Sequence, residues 1–207
     1  MTYGQVRDHV LMLLNQYTIA GSAVEPSYNN QQDYLARIPA LVNDAMMEIA
    51  TTARKLPAVL SLAGLPREEL GEEVRIPLPA DFYQLVSGSV VRLKNGRTVH
   101  TNCCAVQGRQ YLLLPRDTAE DCVLTYWRYP NLLPEQPGDA AQLDNLPETH
   151  YAIPFYVASF LVSHDDPFLC SLFYNKYEDK LSKMSPGRTA EIAPVADCYG
   201  FGQGVGV

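Results

Sequence analysis

The chain has 207 residues and a mass of 23.0 kDa, a length that suits one sizeable hydrophobic core better than two independent ones. Sixteen basic against 23 acidic side chains give a formal net charge of −7 and a pI near 5.0, without the basic footprint of a freestanding nucleic-acid binder. A hydrophobic content of 47% with 19% charged residues excludes wholesale disorder, and no apolar run approaches the roughly 20 residues of a membrane-spanning helix.

Residues 4 to 20 place Val6, Val10, Leu13, Leu14 and Tyr17 at spacings of three and four, which predicts a helix with one buried face. The flanking Arg7, Asp8 and His9, with no small-residue cleavage site, argue against a signal peptide. The breaker-rich stretch Gly21 to Asn30 reads as a loop. Helical phase then returns from about residue 30 to 56 through Tyr34, Leu35, Ile38, Val42, Ala45, Met46 and Ile49, with a kink expected at Pro39. From Glu73 the texture changes to alternating Val, Thr, Tyr and Trp, and residues 73 to 130 read as a small antiparallel β module. Its strands are expected at Tyr83 to Leu93, Arg97 to Val106, Gln110 to Leu114 and Cys122 to Tyr129. Asn95-Gly96 is a two-residue hairpin signal, because both central positions of that turn need positive φ.

Pro130, Pro134, Pro137 and Pro147 punctuate a connector. Two helices follow between 149 and 184, one carrying Ala152, Tyr156, Ser159, Phe160 and Ser163, the other Phe168, Leu169, Leu172, Phe173, Tyr177, Leu181 and Met184. Asp166-Pro167 supplies a cap and a first-turn proline for the second. The tail 188–207 is glycine-rich with no basic residue after Arg188, and reads as an arm. The expected fold class is α+β: mainly a helical bundle with an inserted small antiparallel β module and an extended C-terminal arm. Residues 1–187 would form a single domain.

Catalytic and metal-binding patterns are sparse. The cysteines (Cys103, Cys104, Cys122, Cys170, Cys198) are odd in number and hold no C-x-x-C pair, which suggests neither a disulfide framework nor a zinc site and fits a reducing cytoplasm. Ser163-His164-Asp165-Asp166 could supply metal ligands, but an aspartate before proline is more simply a helix start. No G-x-S-x-G elbow is present. Between residues 117 and 148 seven acidic side chains face Arg128 alone, nearly the whole net charge of the chain. Asp117, Glu120, Asp121, Glu135, Asp139 and Asp144 within this stretch are candidates for a negative surface that repels a polyanion or docks a basic partner.

The segments DYLARIPALVNDAMMEIATTARKL (33 to 56), IPLPADFYQLVSG (76 to 88), LTYWRYPNLLP (124 to 134), LDNLPETHYAIPFYVASFLVSHDD (143 to 166) and FYNKYEDKLSKM (173 to 184) occur in an order and spacing that resembles the head-to-tail adaptor (connector) proteins of tailed bacteriophages. The resemblance spans residues 1 to about 185. It implies a non-enzymatic structural virion protein without a cofactor, made in the bacterial cytoplasm and residing at the head-tail junction. Copies would form a ring, usually a dodecamer in this family, between the portal protein and the next tail or stopper protein. Packaged DNA would pass through the channel without sequence-specific binding, and no membrane is involved.

On this reading the arm binds the portal through Ile192, Val195, Tyr199, Phe201 and Val205. The hairpin tip Lys94-Asn95-Gly96-Arg97 faces the tail, and the acidic residues above line the channel or a docking surface. The alternatives are a tail-completion or tail-terminator protein, a small metal-dependent hydrolase using His164, Asp165 and Asp166, or a generic interaction domain.

Overall fold

Thr2 starts helix α1 (Tyr3–Leu13) with a reciprocal cap: its hydroxyl accepts from the Gln5 N–H while the Gln5 side chain accepts from the Thr2 N–H. The structure is a computed structural model that describes residues 1–14, 31–94, 97–101, 104–116 and 122–184. Val6, Val10 and Leu11 form the buried face of α1, and Leu14 is its C-cap; residues 15–20 of the expected helix lie outside the described residues. The loop expected at 21–30 lies outside the described residues.

Helix α2 (Gln31–Glu48) contains Pro39 and buries Ile38, Val42, Ala45 and Met46. It stops as an α-helix at Glu48, short of the expected residue 56, and passes into a π-helical turn, Ile49–Ala53. The Thr51 and Thr52 hydroxyls bond back to the Met47 and Glu48 carbonyls at 2.9 and 2.7 Å. They compete with the backbone amides there. The Arg54 N–H then closes a wide turn on the Ile49 carbonyl at 2.7 Å.

After a 3-10 turn (Pro147–Tyr151), helix α3 (Ile153–Val162) is apolar on every side and buried at every position except Phe160. Such a helix must be surrounded, and α1, α2 and α4 (Pro167–Lys183) pack around it. The expected start of α4 holds: Asp166 accepts from the Leu169 N–H at 2.9 Å and Pro167 follows it. Its expected apolar face is corrected. Phe173 and Tyr177 are buried, whereas Phe168 and Leu172, displaced around the helix, are 75% and 38% exposed.

The mainly helical description is overturned by what lies between α2 and the connector. Among the described residues eight strands make two four-stranded antiparallel sheets, so the protein is a mixed α+β fold whose β part has a core of its own. One sheet has the order β1-β8-β4-β5, from Leu56–Ser61, Cys122–Arg128, Phe82–Lys94 and Arg97–Thr101. The other has the order β2-β3-β7-β6, from Glu68–Leu70, Glu73–Pro77, Tyr111–Pro115 and Ala105–Gln107.

Period-two alternation aims Cys122, Leu124 and Tyr126 of β8, Val74 and Ile76 of β3, and Leu112 and Leu114 of β7 into one shared core. The β part thus begins at Leu56, not Glu73, and the expected strand Arg97 to Val106 is two strands in different sheets.

The connector 129–146 fastens the halves. Asn43 holds Leu133 from both sides, donating to its carbonyl at 2.9 Å and accepting its N–H at 2.8 Å. The Asn145 side chain donates to the Met46 carbonyl at 3.2 Å. Gly4 donates its N–H to the Asp139 carbonyl at 3.0 Å, so close that a Cβ on Gly4 would sit 2.9 Å from the Asp139 Cβ and 3.1 Å from its carbonyl oxygen. Gly4→Ala is therefore expected to destabilise the fold by about 1–3 kcal/mol. Thermal unfolding checks it, and an unchanged Tm would show that the connector yields freely there.

Candidate interaction surfaces

The hairpin joining β4 to β5 pairs Lys94 with Arg97, which leaves two residues for the turn, as the Asn95-Gly96 signal predicts. Asn95 and Gly96 lie outside the described residues, as do Asp117, Glu120 and Asp121 and the arm residues Ile192, Val195, Tyr199, Phe201 and Val205.

The three remaining acidic candidates lie along the connector, each with its own neighbours. Asp139 takes the Arg7 guanidinium at 2.5 Å. Asp144 takes the Arg128 guanidinium through two 2.6 Å bonds and also accepts from the Asn131 N–H and side-chain amide at 2.7 and 2.8 Å. Those contacts, the Arg128 bonds first, hold its carboxyl below the usual carboxylate range. Glu135 is exposed and borders an open groove of about 410 Å³ between α2 and the connector, alongside Pro39 and Asn43.

In the rival metal site, the Asp166 carboxylate is engaged as the α4 cap, and His164 and Asp165 are exposed. Among the described residues no group of three or more His, Cys, Asp and Glu is placed to hold a metal ion.

Three surfaces stand out that sequence periodicity did not mark. The first is the corner where α3 gives way to α4. Phe160, Phe168 and Leu172 lie within two turns of it along the chain and are 39%, 75% and 38% exposed, three large apolar side chains left open to solvent near one helix junction.

The second is cationic, on an otherwise acidic chain. Lys176 and Lys180 sit 6.0 and 5.1 Å from the centre of the Phe155 ring, and His9 meets the edge of that ring at 5.7 Å. Burial, and then the neighbouring Lys180, push the His9 imidazole below its usual range.

The third is a groove of about 440 Å³ in the β part, lined by Phe82, Tyr83, Gln84, Leu85, Val106 and Arg109. Its walls are strand edges. On the side away from β8, β5 pairs only with residues 90–94 of β4, which leaves the Phe82–Leu85 stretch without a described strand there. Strand β6 pairs with β7 and ends its own sheet. The ladder between β4 and β8 also skips: Leu85 pairs with Tyr126 and Val90 with Leu124, so Thr125 alone faces residues 86–89.

Arg109 also lines this groove. It and Gly108 both have left-handed backbones, φ 58° and 59°, and the Gln110 N–H bonds to the Gln107 carbonyl at 3.2 Å, which closes the β6–β7 turn. Glycine or asparagine would occupy the Arg109 position with less strain. The only sequence signal for it was the glycine in Gln107-Gly108-Arg109-Gln110, a turn marker with no hint of a groove.

The chain matches no protein-family model and no curated protein.

Proposed function

We propose that this chain is a structural virion protein that forms a ring between the portal and the tail at the head-tail junction of a tailed phage and extends the DNA channel. The observation that carries this reading is the exposed apolar corner of Phe160, Phe168 and Leu172, mounted on a helical half that is rigidly organised around the buried α3. A wedge of this kind repeats around an axis when its corner is covered by the next copy, a heterologous contact that closes into a ring. The order of the five resembling segments points the same way. The acidic balance of the chain suits a channel along which DNA slides without being held. Partners on this reading are the portal protein, the next tail or stopper protein and further copies of the chain.

The test is quantitative mass spectrometry of purified phage particles after DNA-filled heads and free tails are separated. The expected result is this chain in filled heads at a near one-to-one ratio with portal subunits. Residence with free tails would favour the tail-completion alternative, and absence from the particle would end the virion reading. An isolated chain that is monomeric is compatible with the proposal, because a ring contact strong in free solution would nucleate away from the portal.

A further inference from the structure

The geometry points to the groove between β4 and β6 as a docking site for a strand contributed by the chain's own C-terminal arm, residues 188–207. This goes beyond the ring reading and does not depend on it. The groove is bounded by Phe82–Leu85 of β4 on one side and Ala105–Gln107 of β6 on the other, two edges with no described strand between them. Free edges that face each other are a template for an added extended peptide, whose main chain pairs while alternate side chains fill the cleft. Phe82, Leu85 and Val106 supply the apolar part of the cleft beside Tyr83 and Gln84, and Arg109, which has no ion pair among the described residues, adds one cation to its lining.

The arm has the matching pattern. In an extended chain residues two apart share a face, and Asp197, Tyr199 and Phe201 are so spaced, with Gly200 and Gly202 between and beyond them to allow close backbone approach. One carboxylate and two aromatic rings complement one guanidinium and the apolar part of the cleft.

The arm also departs from the right place. The Arg54 guanidinium donates to the carbonyl of Met184, the residue after α4. The next residue, Lys55, donates to Gln84 of the groove at 2.8 Å, and the Tyr83 hydroxyl reaches the Thr51 carbonyl at 3.4 Å. From Met184 the thirteen residues to Asp197 can span up to about 45 Å, ample for the cleft of the same molecule.

The experiment is hydrogen exchange on the full-length chain, compared with Arg109→Asp, Asp197→Arg and the charge-swapped double variant, with a Tyr199→Ser/Phe201→Ser variant as an arm-side check. Aspartate tolerates the left-handed turn, and the arm substitutions lie away from both cores. The expected result is that groove-facing amides of Phe82–Leu85 and Ala105–Gln107 exchange roughly tenfold faster in each single variant and in the aromatic variant. Their protection should return in the double variant, and amides of α3 should be unchanged throughout. Equal exchange in wild type and all variants, or no rescue by the swap, would overturn the proposal. Protection that disappears on dilution would also overturn it, by assigning the cleft to a second copy. Loss of the chain from phage heads with these amides still protected would count against the ring reading alone.

Discussion

Replacing Tyr177 with alanine is expected to destabilise the protein by about 3–5 kcal/mol. The side chain is 0% exposed and is the largest of those fully buried. Its ring meets Tyr156 edge-on at 5.2 Å and tilts against Tyr174 at 5.7 Å, and its hydroxyl donates to a Glu48 carboxylate oxygen at 3.1 Å. Burial first, and the Glu48 charge second, raise the hydroxyl far above the usual phenol range, so it remains a donor at every accessible pH. Alanine therefore removes both the packing of a ring and a donor from a carboxylate.

Tyr177→Phe separates the two effects. It keeps the ring and removes the donor, for an expected loss of about 1–2 kcal/mol. Urea unfolding measures both variants, with an unchanged m-value as the sign that only stability has moved. If alanine and phenylalanine have equal effects, the packing argument fails. The location amplifies the consequence: Glu48 is the last residue of α2 before the π-helical turn that leads to β1, so Tyr177 ties α4 to the junction of the two halves.

That junction is also where sequence reading reached its limit. Helical period identified α1, α2 and α4 because a solvent-facing side leaves a 3.6-residue stripe, whereas α3, apolar all round, was read from spacings of three and four with no polar side to frame them. Strands β3, β7 and β8 show alternation because each has one face on the core. Residues 57–72, which hold most of β1 and all of β2, received no element, since Leu56-Pro57-Ala58 carries no alternation and a proline argues against a central strand. The structure resolves the conflict by putting Pro57 on an edge strand, where a missing N–H is tolerated. Without β1 and β2 the β part looked like a small insert.

Arg97 to Val106 was taken as one strand because alternation is local, and nothing in it says that β5 and β6 join different sheets. The groove was invisible for a related reason. Phe82 and Arg109 meet only through the order of strands in two sheets, which no short spacing encodes. Charge was legible as a sum but not as pairs: Asp139 finds Arg7 across 132 residues.

Asp144 is the acidic residue whose removal should matter most, with an expected loss of about 3 kcal/mol in Asp144→Ala at neutral pH. Both partners of its ion pair are well shielded, Arg128 at 21% and Asp144 at 26% side-chain exposure, and the two 2.6 Å bonds are bidentate. The carboxylate also fixes the turn out of β8 by accepting from Asn131 twice. Alanine would leave Arg128 shielded beside Asp81 and Tyr126, with the Tyr129 carbonyl still accepting from it among the described residues.

Acid provides a check on the cause. The Asp144 pKa is depressed in the folded state, chiefly by the Arg128 bonds. The stabilisation it brings is therefore fully present above the unfolded carboxylate value of about 3.9, and is lost as pH falls through the lower folded value. The difference in unfolding free energy between wild type and Asp144→Ala should hold constant from about pH 7 to pH 5 and shrink steadily below about pH 4. A difference that did not begin to shrink as pH falls below about 4 would mean that the side chain acts through packing or turn geometry and not through its charge.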